Sequence, residues 1–156
     1  MFEKYGIIEL KNGLTLEIIK SKFPWILEAE IKDAVLGVED DYLIWYDGTW
    51  IRGKWKVGMW LNGTFQNGYF EDGVWVDGVW QNGAFIGGIW QDGTFEDGFL
   101  VKATWKKGLW MKGTWIRGTW ESGVWYDGVW EGGTWKGGTW KGGTWLDKNN
   151  EAPHKQ

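Results

Sequence analysis

The chain has 156 residues, 17 Trp, 26 Gly, one His, no Cys and a formal net charge of −4. Without Cys it forms no disulfide and offers no thiolate to a metal or an acyl group. One domain with an adequate core suits this length, but so many Trp and Gly together are foreign to helical bundles and ordinary α/β domains, and point to repetition.

Residues 1–44 carry no repeat. The stretch around Asn12-Gly13 predicts two strands joined by that turn, and the stretch after Pro24-Trp25 predicts another strand or two. We read this segment as an N-terminal β cap, because an array with an apolar interior needs its open end covered. The first residues have no basic region followed by an apolar run, and no stretch approaches a membrane span. The expectation is a soluble chain of the reducing cytoplasm.

From Trp45 to Trp145 an aromatic residue stands at every fifth position, Leu100 being the exception, and Gly follows three residues later from Gly48 to Gly143, Ala103 being the exception. The unit is x-W-x-x-G. Thr and Val dominate the place before the aromatic residue, as in Thr49, Val74 and Val79, which favours extended backbone. Asp, Asn or Gly often precede the repeat Gly, as in Asp47, Asn62 and Gly132, which marks a tight corner. A helix is excluded, since a period of five walks around its surface and puts Gly in every turn.

Two all-β architectures fit a tandem five-residue array. A coiled antiparallel meander of very short strands sends successive aromatics to opposite faces and exposes many indoles. A β-solenoid turns every unit inward. The preferred form is a square coil of four pentads, about five coils in all, with each Trp inward and the Gly two residues earlier inward beside it. The structural core is then Trp50, Trp55, Trp75, Trp80, Trp90, Trp105, Trp110, Trp115, Trp120, Trp125, Trp130 and Trp135, with turn glycines at Gly53, Gly63, Gly73, Gly83, Gly113 and Gly123. The array spans residues 45–146, and residues 147–156 form a polar, frayed C-terminal tail.

Charge is uneven along the chain. Residues 47–98 hold seven acids and three bases (−4), and residues 99–148 hold four acids and eight bases (+4).

The unit, as in residues 113–118 (GTWIRG) and 123–128 (GVWYDG), resembles the Trp/Gly-rich pentad arrays of bacterial and phage proteins. It is similar in spacing to pentapeptide-repeat proteins, which are square β-helices, and locally to MORN repeats, which are tied to scaffolding. Ala103 and Leu100 are residue types that the pentapeptide-repeat family prefers at the matching places. The resemblance implies a non-enzymatic role in binding or assembly, with a virion component among the expectations.

Catalytic chemistry is poorly supplied. The one His is His154, in the tail, so no His-based triad or acid/base site can be assembled. Asp72, Asp77, Asp92, Glu96 and Asp97 form the densest acidic region, conceivable as a glycosidase pair but fully explained as corner residues. No loop has the alternating carboxylates of a Ca²⁺ site, and no Gly-rich phosphate loop leads into a helix. No metal and no cofactor are expected.

Lys102, Lys106, Lys107, Lys112, Arg117, Lys136 and Lys141 interleave with aromatics, as in a groove for single-stranded nucleic acid. The net acidity and inward indoles argue against it. A glycan-binding face of exposed Trp is the alternative, weighed against the larger apolar patch it would expose. The expected function is a non-enzymatic scaffold or binding module acting through a protein partner or its own copies.

Overall fold

The structure, a computed structural model, describes residues 2–154. Among them are strand β1 (Ile7–Lys11), helices α1 (Leu16–Lys22) and α2 (Trp25–Glu28), and strands β2 (Glu30–Glu39) and β3 (Tyr42–Arg52). Seventeen further strands run from β4 (Lys54–Trp55) to β20 (Thr144–Trp145), nearly all two residues long.

The array is a β-solenoid. Ile44 and Trp45 pair in parallel with Met59 and Trp60, which pair in parallel with Val74 and Trp75, so the coil repeats every fifteen residues. Three pentads make one coil, and the 21 aromatic places make seven coils. At roughly 4.8 Å per coil the rod is about 34 Å long. This corrects the square coil to a triangular one, and the parallel pairing rules out the meander.

The physical reason lies in the layer. Trp45, Trp50 and Trp55 meet mutually edge to face, at centroid distances of 6.0, 5.9 and 6.5 Å. This is the arrangement that aromatic quadrupoles favour, and three rings close the centre at native density. A fourth side would push the rings apart around a void.

Two backbone bonds per pentad hold each coil to the last. Val74 donates its N–H to the Gly58 carbonyl (3.0 Å), and Val76 donates to the Trp60 carbonyl (2.7 Å). The chain then leaves the ladder for a corner, so most strands have two residues. At the corner the expectation of Gly packed inward beside Trp gives way to another arrangement. The six turn glycines named from the sequence have φ between 109° and 133°; Gly63, Gly73, Gly83, Gly113 and Gly123 stack on the corner backbone of the previous coil, and Gly53, in the first coil, lies against Ala29. A Cβ on Gly68 would overlap the Gly53 carbonyl oxygen. Ala103 is the exception in structure as well. It lacks positive φ and lies within the seven-residue strand β13 (Phe99–Trp105), opposite Gly118 in β15 (Thr114–Trp120).

Two helices stand where strands were expected in the N-terminal segment. Asn12 (φ 58°) and Gly13 (φ 80°) do form a turn after β1. Thr15 then caps α1, its Oγ1 accepting from the Ile18 N–H at 3.2 Å, and Leu16, Ile19 and Phe23 are buried at helical spacing. The helical period outweighs the β-branched residues here. Strand β2 pairs antiparallel with β3, Leu36 opposite Trp45, through a two-residue turn of Asp40 (φ 50°) and Asp41 (φ 65°). From α2, Trp25 lies edge-on against Trp55, with centroids 5.2 Å apart. The first aromatic layer is thereby covered.

Candidate functional site

The aromatic places form three columns inside the rod. One runs Trp45, Trp60, Trp75, Trp90, Trp105, Trp120, Trp135, with rings 4.6–4.9 Å apart and tilted by 4–8°. Trp50, Trp55, Trp75, Trp80, Trp90, Trp105, Trp110, Trp115, Trp120, Trp125 and Trp130 have no exposed surface, and Trp135 is half-buried. The body of the rod therefore presents no Trp on which a sugar or a base could stack. Leu100 fills the break in one column between Phe85 and Trp115, and is also fully buried.

The indole N–H groups face the corners of the next coil. Trp110, Trp115 and Trp120 donate to the carbonyls of Asp127, Gly132 and Gly137 at 3.1, 3.1 and 2.9 Å. Elsewhere in the rod, among the described residues, the N–H groups of Trp45, Trp60, Trp90 and Trp125 are buried without a partner. Each such donor costs about 1–3 kcal/mol. A Cβ on Gly63 would lie 3.2 Å from the Trp45 indole nitrogen, so the corner Gly leaves the indole its room.

The acids singled out from the sequence are corner residues. Gly73, Gly78, Gly93 and Gly98 donate their N–H groups to Oδ1 of Asp72, Asp77, Asp92 and Asp97, each at 2.8 Å. The fifteen-residue period puts Asp77 and Asp92 at one corner and sends Asp72 and Asp97 to the other two. Lys107 pairs with Asp92 and Lys112 with Asp97, both at 3.7 Å, and Glu96 stands on a side of the coil rather than at a corner. The same period scatters the bases. Lys102 and Arg117 share one corner, Lys106 and Lys136 one side, and Lys141 another. Lys106 pairs with Glu121 at 3.3 Å.

The two ends of the rod differ. At the far end, among the described residues, β18 (Thr134–Trp135), β19 (Thr139–Trp140) and β20 pair on one side only, with the coil before them. Trp135 and Trp145 stay partly exposed, while Trp140 retains 5%. The start of the tail is ordered rather than frayed. The Trp145 indole donates to the carbonyls of Asp147 and Asn150, both at 3.0 Å, and Asp147 accepts from the Asn150 side chain (2.9 Å) and the Asn149 N–H (3.0 Å). The Asn150 bond first, and the Asn149 bond with it, hold the Asp147 carboxyl below its ordinary pKa. The sequence signal was present. Residues 144–147 keep the repeat pattern through its Asp, and Lys148 stands where the corner Gly would be.

No helix among the described residues is long and apolar enough to cross a membrane. No protein-family profile, curated protein or solved structure matches this chain.

Proposed function

We propose that the protein is a non-enzymatic scaffold that works by protein–protein contact, and that two copies associate through their last coils. The observation that carries this reading is the difference between the ends: one is closed by Trp25 and β2, and the other leaves three strand edges without a partner among the described residues. A row of unpaired strand groups is a template for another strand, and the partly exposed indoles of Trp135 and Trp145 add apolar surface beside it. The regular rod and the use of Asp72, Asp77, Asp92 and Asp97 as corner residues support a structural role over a catalytic one. The resemblance to phage and bacterial pentad arrays supports assembly, with a virion component or a cytoplasmic scaffold as settings for it.

Light scattering on the purified chain tests the reading. The expected result is a mass that rises toward twice the monomer with concentration, and a return to monomer in Trp135→Arg, which sets a charge into the last layer. A wild-type chain that stays monomeric at every concentration, or a Trp135→Arg variant that associates equally well, overturns it.

A further inference from the structure

On one side of the rod the residues that precede the inward aromatics form an outward ladder. In parallel register it reads Lys54, Tyr69, Ala84, Phe99, Thr114. Tyr69 is 48% exposed and Phe99 53%, and they stand two coils apart with the small Ala84 between them. The space over Ala84 belongs to a groove of about 800 Å³, whose corner edge carries Asn67 and Asn82. Two exposed rings thus flank one vacant ladder place.

The interior shows what a ring does at such a place. Inside, Trp75 lies 4.9 Å from Trp60 and 4.8 Å from Trp90 in the coils below and above it, nearly parallel to both. An aromatic ring entering over Ala84 would take the middle position of the same kind of stack, between Tyr69 and Phe99. Stacked aromatic pairs add attraction beyond the burial of their area.

The polar groups around the slot describe the rest of the occupant. Arg52 is neutralised by Glu30 at 2.7 Å, and Lys54 lies over the Tyr69 ring at 6.0 Å, while Glu28 adds a carboxylate to the rim. A phosphate-bearing base would meet that carboxylate with both nearby cations engaged. Asn67 is oriented by the Gly68 N–H, which donates to its Oδ1 at 2.9 Å. Its amide N–H groups remain for a hydroxyl or carbonyl on the occupant.

We propose that the Ala84 gap between Tyr69 and Phe99 is a receptor slot for an aromatic side chain presented by a partner polypeptide. It shares with the scaffold reading the premise of protein contact, but lies on a different surface from the last coil, so either can fail alone.

The test is NMR titration of the full chain with N-acetyl-tyrosinamide and N-acetyl-tryptophanamide, following the Ala84 methyl and the Tyr69 and Phe99 ring signals. The expected result is a saturable upfield shift of the Ala84 methyl in the millimolar range. The accompanying shift of the Tyr69 ring signals should be lost in Ala84→Phe, which fills the slot with the protein's own ring, and the Ala84 methyl shift should be weakened about tenfold in Phe99→Ser, which removes an exposed wall and keeps the fold if Ala84→Phe does not. Absence of a saturable shift, or an equal shift in Phe99→Ser, overturns the proposal. A response to methyl β-glucopyranoside without one to the aromatic amides also overturns it and assigns the slot to sugars. Light scattering on the wild type and Trp135→Arg is run alongside the titration, which separates failure of the slot from failure of the scaffold reading.

Discussion

The indoles of Trp90 and Trp105, fifteen residues apart in the chain, lie parallel with centroids 4.7 Å apart and a tilt of 4°. Ring stacking of this kind recurs along each column of the rod, interrupted in one of them by Leu100, and makes the aromatic ladder both the core and the register device. A slip by one residue would turn every ring outward.

Tryptophan emission should therefore be blue-shifted and largely protected from iodide, with the quenched fraction coming from Trp135 and Trp145. A red-shifted, fully quenched spectrum would mean that the ladder does not form a dry core.

Trp75→Ala should lower stability by about 3–5 kcal/mol in chemical unfolding, because it opens a cavity between two stacked indoles. Trp75→Phe should cost less, since Phe65, Phe70, Phe85 and Phe95 already hold equivalent places. Equal losses for the two variants would contradict the stack as the source of stability.

At the corners the prediction turns on backbone geometry. Gly88 has φ 106°, and a Cβ there would overlap the Gly73 carbonyl oxygen. Gly88→Val should cost at least about 2 kcal/mol through left-handed strain and collision. Gln91→Ala, on the outside, should stay within about 0.5 kcal/mol. Ala103→Gly should weaken the fold slightly, by about 0.5–1 kcal/mol, because that corner uses ordinary backbone and gains only unfolded-state freedom. Equal melting temperatures for Gly88→Val and Gln91→Ala would refute the corner assignment.

The Asp147 clamp gives a pH dependence. Its carboxyl is held below the ordinary Asp value of 3.8 by Asn150 and Asn149. The folded form therefore binds a proton less readily than the unfolded one. The clamp's contribution is complete above the ordinary value and is lost as pH falls through the lowered one. NMR signals of Asn149 and Asn150 should shift in that acid window in the wild type, and Asp147→Asn should abolish the transition.

Much of the fold was legible in residues 45–146. The five-residue spacing of the aromatics, broken only at Leu100, and the Gly three residues behind nearly all of them imply inward rings, short extended segments and corners, and the solenoid has all three. Two places were harder. Helix α1 hides behind Ile18 and Ile19, which favour strands, until Thr15 and the spacing of Leu16, Ile19 and Phe23 are weighed together. The slot beside Ala84 was invisible, because Tyr69 and Phe99 are thirty residues apart and become neighbours only through the coil period.

What the sequence by itself determined is local: a pentad whose aromatic member must leave water and whose Gly alone accepts the left-handed corner. The number of pentads in a coil is not local. Only the tertiary structure decided on three, because that number depends on how rings from one coil close around the axis while stacking on the coils above and below. The same choice distributed the acids and bases over separate corners and sides, left one end paired and the other unpaired, and brought Tyr69 and Phe99 to either side of Ala84.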